Sequence, residues 1–371
     1  MPDKNKKQET VLLVSNSRIG VFGFRKELVQ RLVKEGYRVV VSFTNGPFGE
    51  GEAESKECGC EFIETVIDRR GTNPFKDLKL VKQYKDLLNK VRPDYVFAYT
   101  VKPDIYAGMA CKKAGIKFYP NITGLGKGLT EGKLVSTVLK SLYRRGIKKA
   151  ECVFFQNDSD KKFFDDNKIG YNRCRVLPGS GVNLEKFKPL PYPDDKKVIF
   201  TYVARVMKAK GIEEFFEAAE YLKNKYDNCE FHICGYCEED YKEKIREYAD
   251  KGIVVYHGLV KDIMEYEKMS HCIVMPSFHP EGVSNVLLEG AACGRPLITT
   301  DWTGCRDAVN DGVSGYLVEP RNSKDLIEKM EKFLSLSNEE RKQMGLAGRE
   351  FVEKKFDRNI IVQAYLDEIR S

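Results

Sequence analysis

Two glutamates, Glu281 and Glu289, lie with seven residues between them in the segment 276–296, PSFHPEGVSNVLLEGAACGRP. An apolar run ends at Met275, and a helix is expected to open near Ser284, whose hydroxyl can cap it. The turn Glu281-Gly282-Val283-Ser284 then sits beside a helix N-terminus. Free backbone amides and the helix dipole favour a phosphate there, and Gly282 lets the backbone come close. Glu289 falls five residues into the helix, about 7.5 Å along it. A carboxylate does not attract a phosphate, but it accepts hydrogen bonds from hydroxyls. Acids on either side of a phosphate site suit a sugar at one end and a ribose at the other, as in a nucleoside-diphosphate sugar. The competing reading of Glu289, an ordinary solvated helix residue, fits poorly with its apolar neighbours, VLLEGAAC.

A second segment, TYVARVMKAKGIEEF (201–215), places Arg205 at the end of an expected strand and Lys210-Gly211 at the opening of the next helix. A departing diphosphate gains negative charge, and fixed cations stabilise that charge without a metal. Taken alone, the pair also reads as surface charge. Two other segments imitate sites. GLGKGLT (124–130) lacks the spacing of a phosphate-binding loop and reads as a flexible turn. Asp158-Ser159-Asp160 looks like a metal-binding pair, but it follows a strand and precedes a helix, so helix capping explains it better.

Strand-like and helix-like stretches alternate along the chain, the mark of parallel sheets covered by helices. Strands are expected at 10–15, 37–43, 94–100, 117–123 and 152–156, then at 198–204, 230–234, 253–257, 272–275 and 296–300. Between the two sets the proline-containing stretch 178–197 reads as an interdomain linker. The expected domains are therefore 1–190 and 191–355, each a doubly wound sheet, with a C-terminal helix over 356–371 packing back on the first. In open α/β sheets ligands sit outside the carboxyl ends of the strands. Two such domains facing across a cleft suit a transferase that holds a donor on one and an acceptor on the other.

Composition narrows the classes. The 371 residues are 42% hydrophobic, enough for a buried core. No apolar run approaches the roughly 20 residues needed to cross a bilayer, and the polar N-terminus does not read as a signal peptide. The 11 cysteines show no disulfide framework and read as reduced thiols; the pairs Cys58/Cys60 and Cys234/Cys237 are weak candidates for zinc. All four histidines lie in the second half. Residues 1–190 carry 36 Lys/Arg against 22 Asp/Glu, whereas residues 191–371 carry 26 against 33, so the first half is expected to meet something anionic. Aromatic residues do not interleave with a basic run, which argues against nucleic acid. The stretch 133–149, KLVSTVLKSLYRRGIKK, combines six cations with an apolar helical face. It is expected to lie on an anionic membrane surface, the alternative being a core-facing helix with a solvated basic face.

On these motifs the chain resembles family-4 retaining glycosyltransferases of the GT-B fold over nearly its whole length. The resemblance rests on Glu281…Glu289-Gly290 with the Gly294-Arg295-Pro296 turn, Arg205…Lys210-Gly211, PGSGVNLEKF (178–187) and YTVKPDIYAGMACKKAGIKFYPNITGLG (99–126). The last segment is similar to the branch that builds bacterial capsule, exopolysaccharide, O-antigen or glycoprotein glycans on undecaprenyl diphosphate. The resemblance implies a retaining transfer of a hexose or N-acetylhexosamine from a UDP-sugar to a lipid-linked saccharide, with no metal or other cofactor. It implies that Arg205 and Lys210 hold the diphosphate, Glu281 the donor-sugar hydroxyls and Glu289 the ribose. Amides of Gly282, Val283, Ser284 and Asn285 would meet the sugar and distal phosphate, and Gly20 would close over the diphosphate from the first domain. Base contacts are expected around His257 to Val260, with Gly258 and Val260 as donor-binding positions. Several relatives carry a first-domain His near the anomeric centre. This chain has none, and Asn121 and Thr123 are the nearest substitutes, with Gly124 and Lys127 also on the acceptor side. The implied location is cytoplasmic, peripheral on the inner face of the membrane. A UDP-sugar 2-epimerase of the same fold, and a non-catalytic nucleotide-sugar-binding protein, are the alternatives.

Overall fold

The computed structural model describes residues 8–45, 50–68, 74–130 and 132–371, without the side chains of residues 74–78 and 127. The chain divides into two compact units, one of 1–180 with 359–371 and one of 181–358. The division falls ten residues before the expected boundary at 190. The stretch after it is not a free linker. Val182 and Phe187 are buried in the second unit's core, and Leu190 N donates to Cys293 O (3.1 Å). Arg349 holds the Phe187 carbonyl at 2.6 Å and the Ala292 carbonyl at 2.8 Å. The prolines stiffen this stretch, but its apolar residues fasten it down.

The first unit is a seven-stranded parallel sheet of β1 (Thr10–Val14), β2 (Arg38–Ser42), β3 (Glu61–Phe62), β4 (Tyr95–Tyr99), β5 (Lys117–Ile122), β6 (Val153–Phe155) and β7 (Cys174–Val176), in the order β3-β2-β1-β4-β5-β6-β7. The second is a six-stranded parallel sheet of β8 (Val198–Val203), β9 (Cys229–Cys234), β10 (Val255–Gly258), β11 (Cys272–Met275), β12 (Leu297–Thr300) and β13 (Gly315–Val318), in the order β10-β9-β8-β11-β12-β13. In both, chain direction along the sheet reverses between the first and fourth strands, the doubly wound arrangement whose ligands lie at that reversal. The central strands are apolar on both faces because helices cover both. Val11 and Leu13 face one layer of the first unit while Leu12 and Val14 face the other. Each large apolar side chain so buried contributes roughly 1.5–3 kcal/mol.

The last helix supplies Ile361, Val362, Tyr365, Leu366 and Ile369 to the first unit's core. Between β1 and the helix Lys26–Lys34 the expected loop is in part a π-helical turn, Ile19–Gly23. GLGKGLT is not a flexible turn either, since Gly126–Thr130 forms a short helix. Helix capping does explain the Asp158 segment, but the cap is one residue earlier: Asn157 accepts from Asp160 N at 2.7 Å. Among the described residues no helix is long and apolar enough to cross a membrane.

The basic helix spans Lys133–Ile147. It packs through Ser136, Tyr143, Gly146 and Ile147, close against the helix Val101–Ala114. A Cβ on Gly146 would lie 2.7 Å from Ile105 O, and one on Gly108 would lie 2.4 Å from Gly146 O. The apolar face expected for this helix is thus divided. Tyr143 is buried and Leu139 and Leu142 are packed against the core, but Leu134, Val135 and Val138 are exposed at 79%, 46% and 52%. Because the obstructing atoms at Gly146 are backbone, Gly146→Ala is expected to destabilise the first unit by about 1–3 kcal/mol. The measurement is a urea unfolding curve, which should shift to a lower midpoint.

Candidate active site

The loops that carry the predicted residues leave β8 and β11, the two strands flanking the chain reversal of the second sheet. After β8 the chain makes a short 3-10 turn, Lys208–Lys210, and reaches Gly211 at φ +77°. A Cβ on Gly211 would stand 2.1 Å from Pro276 O, so only glycine lets the two loops touch. Phe278 N donates to Ala209 O at 2.9 Å across the same contact. Gly304, after β12, plays the equivalent part for the turn: at φ +84° its Cβ would meet Gly282 O at 2.4 Å, and its own carbonyl accepts from Ser284 N (2.8 Å).

This stitching brings Lys210 and Glu281 together. Lys210 Nζ lies 2.6 Å from Glu281 Oε1, with the lysine only 6% exposed. Arg205 forms an ion pair with Glu238, a residue the sequence reading did not single out. Glu238 N donates to Val206 O (3.1 Å), which fixes the acid beside the arginine. Both predicted cations thus have a carboxylate partner. Neither is used up: an ammonium has three donors and a guanidinium five, and Arg205 engages Glu238 through Nη1 alone. The acids hold the cations in place. Glu281, expected to meet sugar hydroxyls, is first the counter-ion of Lys210, with Oε2 left for a hydroxyl.

Ser284 is the N-cap residue of the helix Asn285–Ala292, but its hydroxyl does not cap it. The hydroxyl is turned inward toward Met275 Sδ (3.7 Å), because Ser284 is buried at the end of β11. The first-turn amides are therefore not taken by a side-chain cap, which suits an anion better than the capped helix expected. Gly282 and Val283 are buried in the same turn, and Asn285 is half-buried.

Glu289 is half-buried, and its carboxyl makes no hydrogen bond among the described residues. Burial pushes its carboxyl up to about 7, and Lys186 and Arg358 only partly offset that. It is not an ordinary solvated helix residue. Behind it lies Glu267, 1% exposed, pushed up to about 8 by burial and hydrogen-bonded to the Cys293 thiol. Arg295 of the Gly-Arg-Pro turn is a structural residue. It is wholly buried, and it donates to Glu267 O and Pro191 O, both at 2.7 Å.

Gly258 lies at the end of β10 at φ +67°, and its carbonyl accepts from Gly235 N at 2.7 Å. Gly235 in turn presses on Ala204, its Cβ position 1.8 Å from Ala204 O. The 258–260 turn is thus connected to the Arg205 loop, with Leu259 exposed and Val260 half-buried.

In the first unit Gly20 lies in the π-helical turn, where a Cβ would meet Ser15 Oγ at 2.1 Å. Its carbonyl accepts from Arg25 Nη1 (2.7 Å), and Arg25 lies 3.8 Å over the Tyr99 ring. Asn121 is not available as a substitute for a catalytic histidine. It is 1% exposed, its amide donates to Ala98 O and Tyr119 O, both at 3.1 Å, and its Oδ1 accepts from Tyr365 at 2.6 Å. Its backbone N–H is bonded to Asp104 (3.2 Å), a buried carboxyl held well above the usual range by desolvation. Thr123 and Gly124 remain half-buried at the end of β5, and the Lys127 side chain lies outside the described residues. Among the described residues no group of three or more His, Cys, Asp or Glu is arranged to hold a metal ion.

Two units, each a doubly wound parallel sheet, define the fold of a GT-B glycosyltransferase. The family models agree: one for glycosyl transferases group 1 matches residues 184–351 and one described as glycosyl transferase 4-like matches residues 10–157. The chain belongs to this glycosyltransferase family. It is 28% identical over 371 residues to an N,N'-diacetylbacillosaminyl-diphospho-undecaprenol alpha-1,3-N-acetylgalactosaminyltransferase of Campylobacter jejuni, covering 95% of this chain and 96% of that protein. It is 28% identical over 276 residues to a UDP-Gal:alpha-D-GlcNAc-diphosphoundecaprenol alpha-1,3-galactosyltransferase of Escherichia coli, covering 70% of each. Among solved structures, a glycosyltransferase from Rickettsia africae superposes with a TM-score of 0.79 at 21% identity, covering 98% of both chains. An Anabaena protein in complex with UDP and glucose superposes with a TM-score of 0.78 at 16% identity, covering 98% of this chain and all of that one.

The buried acid behind Glu289 generates a pH prediction. Glu267 ionises near 4.5 when unfolded but near 8 in the fold. The fold therefore binds a proton that the unfolded chain has lost, and stability falls as pH rises between those values. Urea unfolding from pH 5 to 8 should show this decline, and Glu267→Gln should flatten it.

Proposed function

We propose that the chain transfers a hexose or N-acetylhexosamine from a UDP-sugar to a saccharide carried on undecaprenyl diphosphate, with retention and without a metal. The observation that carries the reading is that Lys210, in the loop after β8, is held by Glu281 in the turn leading to the uncapped helix Asn285–Ala292, with Arg205 of the same loop paired to Glu238. The names of the Campylobacter and Escherichia relatives favour the same donor and acceptor classes. Glu289, whose carboxyl makes no hydrogen bond among the described residues, suits the ribose hydroxyls.

In this reading the bond between the anomeric carbon and the diphosphate oxygen breaks, and a bond to the acceptor oxygen forms on the same face. The acceptor proton passes to the departing phosphate oxygen. Arg205 and Lys210 stabilise the charge on that phosphate, a contribution of about 3–4 kcal/mol for one well-placed donor. That supply of fixed positive charge is the ground for proposing metal independence. The epimerase alternative needs acid and base groups on both faces of the sugar, and the first half of the chain carries no histidine. A location at the inner face of the membrane belongs to the same proposal. Leu134, Val135 and Val138 stand exposed on a helix that also carries Lys133, Lys140, Arg144 and Arg145, a combination that suits an anionic leaflet.

The test is incubation of the full chain with a panel of UDP-sugars and undecaprenyl-diphosphate-linked saccharides. A lengthened lipid-linked saccharide is expected, with Arg205→Ala and Lys210→Ala each slowing it by about a hundredfold or more in folded protein. Near-normal rates in both variants would overturn the clamp. An epimer formed from a UDP-sugar alone would turn the reading to the epimerase, and UDP binding without turnover on any acceptor would turn it to the non-catalytic nucleotide-sugar-binding protein. Separately, Leu134→Asp with Val138→Asp should abolish co-sedimentation with vesicles containing anionic lipid while leaving UDP binding intact.

A further inference from the structure

We infer that Trp302, in the loop after β12, is a platform for the face of a pyranose ring beside the turn Glu281–Ser284. The inference rests on the nucleotide-sugar reading and adds to it a residue that takes the apolar side of a sugar. Trp302 is the single tryptophan of the chain, and it is half-buried. Among the described residues its ring makes no aromatic or cation contact, and its indole N–H makes no hydrogen bond. It joins neither hydrophobic cluster of the second unit.

The loop that carries this ring is well braced. Trp302 N donates to Thr300 O (2.7 Å), and the Trp302 carbonyl accepts from Cys305 N and Arg306 N, both at 3.0 Å. Arg306 closes the loop across its base, with Nη2 on the Asp301 carbonyl (3.0 Å) and Nη1 3.1 Å from the Asp301 carboxylate. The Thr300 hydroxyl donates to Ser277 O, which ties the loop to the one after β11. Gly304 lies so close to the turn that a Cβ there would stand 2.6 Å from Glu281 O. Burial raises the Cys305 thiol, and the charges of Glu281 and Lys210 act on it in opposite directions, so the loop lies within reach of the ion pair. The backbone is thus satisfied and the tryptophan side chain is not.

An indole is among the largest apolar surfaces a chain can bury, and it usually finds both packing and a hydrogen bond. Phe278, in the loop after β11, has its ring covered by the Arg321 guanidinium at 4.5 Å. Trp302 has no such cover. A diphosphate is charged on every side and gives an indole nothing to pack on. A pyranose carries hydroxyls at its rim and C–H groups on its faces. A flat apolar ring suits the face, and the indole N–H can donate to a rim hydroxyl. In the proposed reaction two such rings come to the turn Glu281–Ser284, the transferred sugar and the terminal sugar of the acceptor, and the same chemistry serves either.

Because no other tryptophan is present, fluorescence of the full chain reports on this ring alone. The chain is titrated with UDP, with the panel of UDP-sugars, and with undecaprenyl-diphosphate-linked saccharides in detergent, undecaprenyl diphosphate without a saccharide being the blank. A saccharide-bearing ligand should change the emission, and UDP and the blank should not. A response to a UDP-sugar assigns the platform to the transferred sugar, and a response confined to the lipid-linked saccharide assigns it to the acceptor. Trp302→Ala should raise the KM of that substrate by about tenfold, and Trp302→Phe should restore most of the loss. Calorimetry should show UDP affinity unchanged in both variants. The inference is overturned if UDP alone reproduces the emission change, if no saccharide-bearing ligand produces one, or if Trp302→Ala moves neither KM by more than about twofold. Weakened UDP binding in Trp302→Ala would make the tryptophan a structural residue and overturn it too. A wild-type chain that binds neither UDP nor any UDP-sugar would instead remove the nucleotide-sugar reading itself, and this inference with it.

Discussion

An ammonium group can be taken out of water only beside an anion. Lys210 is almost wholly buried, so Glu281 has to meet it. Removing one partner of such a pair leaves an uncompensated charge at a cost of about 3–5 kcal/mol. The contact joins the loops after β8 and β11, and it requires their backbones to touch, which Gly211 permits. Gly304 then sets the distance of the turn from the loop after β12. The charged pair and the two glycines are one constraint: a bulkier residue at either glycine would part the loops and leave Lys210 without its counter-ion.

The same constraint explains why so much of this site was legible in the sequence. Alternating apolar runs follow from local periodicity and marked the two sheets, but β3, β7 and β13 were not among the expected strands. The first role given to Glu281 left out its ion pair, because Lys210 lies 71 residues away. Glu238 and Glu267 escaped notice for a related reason. Each matters through a neighbour on another strand or loop, and no motif marks such a pairing. Local rules also misled. A serine before a helix normally caps it, yet the hydroxyl of Ser284 is turned inward by burial. A proline-rich stretch normally marks a linker, yet Val182 and Phe187 anchor this one. Asn121 sits in a suggestive segment, yet Tyr365, from the far end of the chain, uses its carbonyl oxygen.

The two sheets share one strand order and use its chain reversal differently. In the first unit the reversal between β1 and β4 is filled by protein. Arg25 is 5% exposed, lies against Tyr99 and spends Nη1 on the Gly20 carbonyl. In the second unit the reversal between β8 and β11 keeps Arg205 about a third exposed. An arginine stacked on an aromatic ring and sealed from water supports the backbone around it, whereas one pinned by a single carboxylate retains donors for a ligand. The difference lies in what surrounds the guanidinium rather than in its presence. Net charge read alone points to the first half of the chain, the basic one, whereas the proposed diphosphate site lies in the acidic half, where each cation is steadied by a carboxylate beside it.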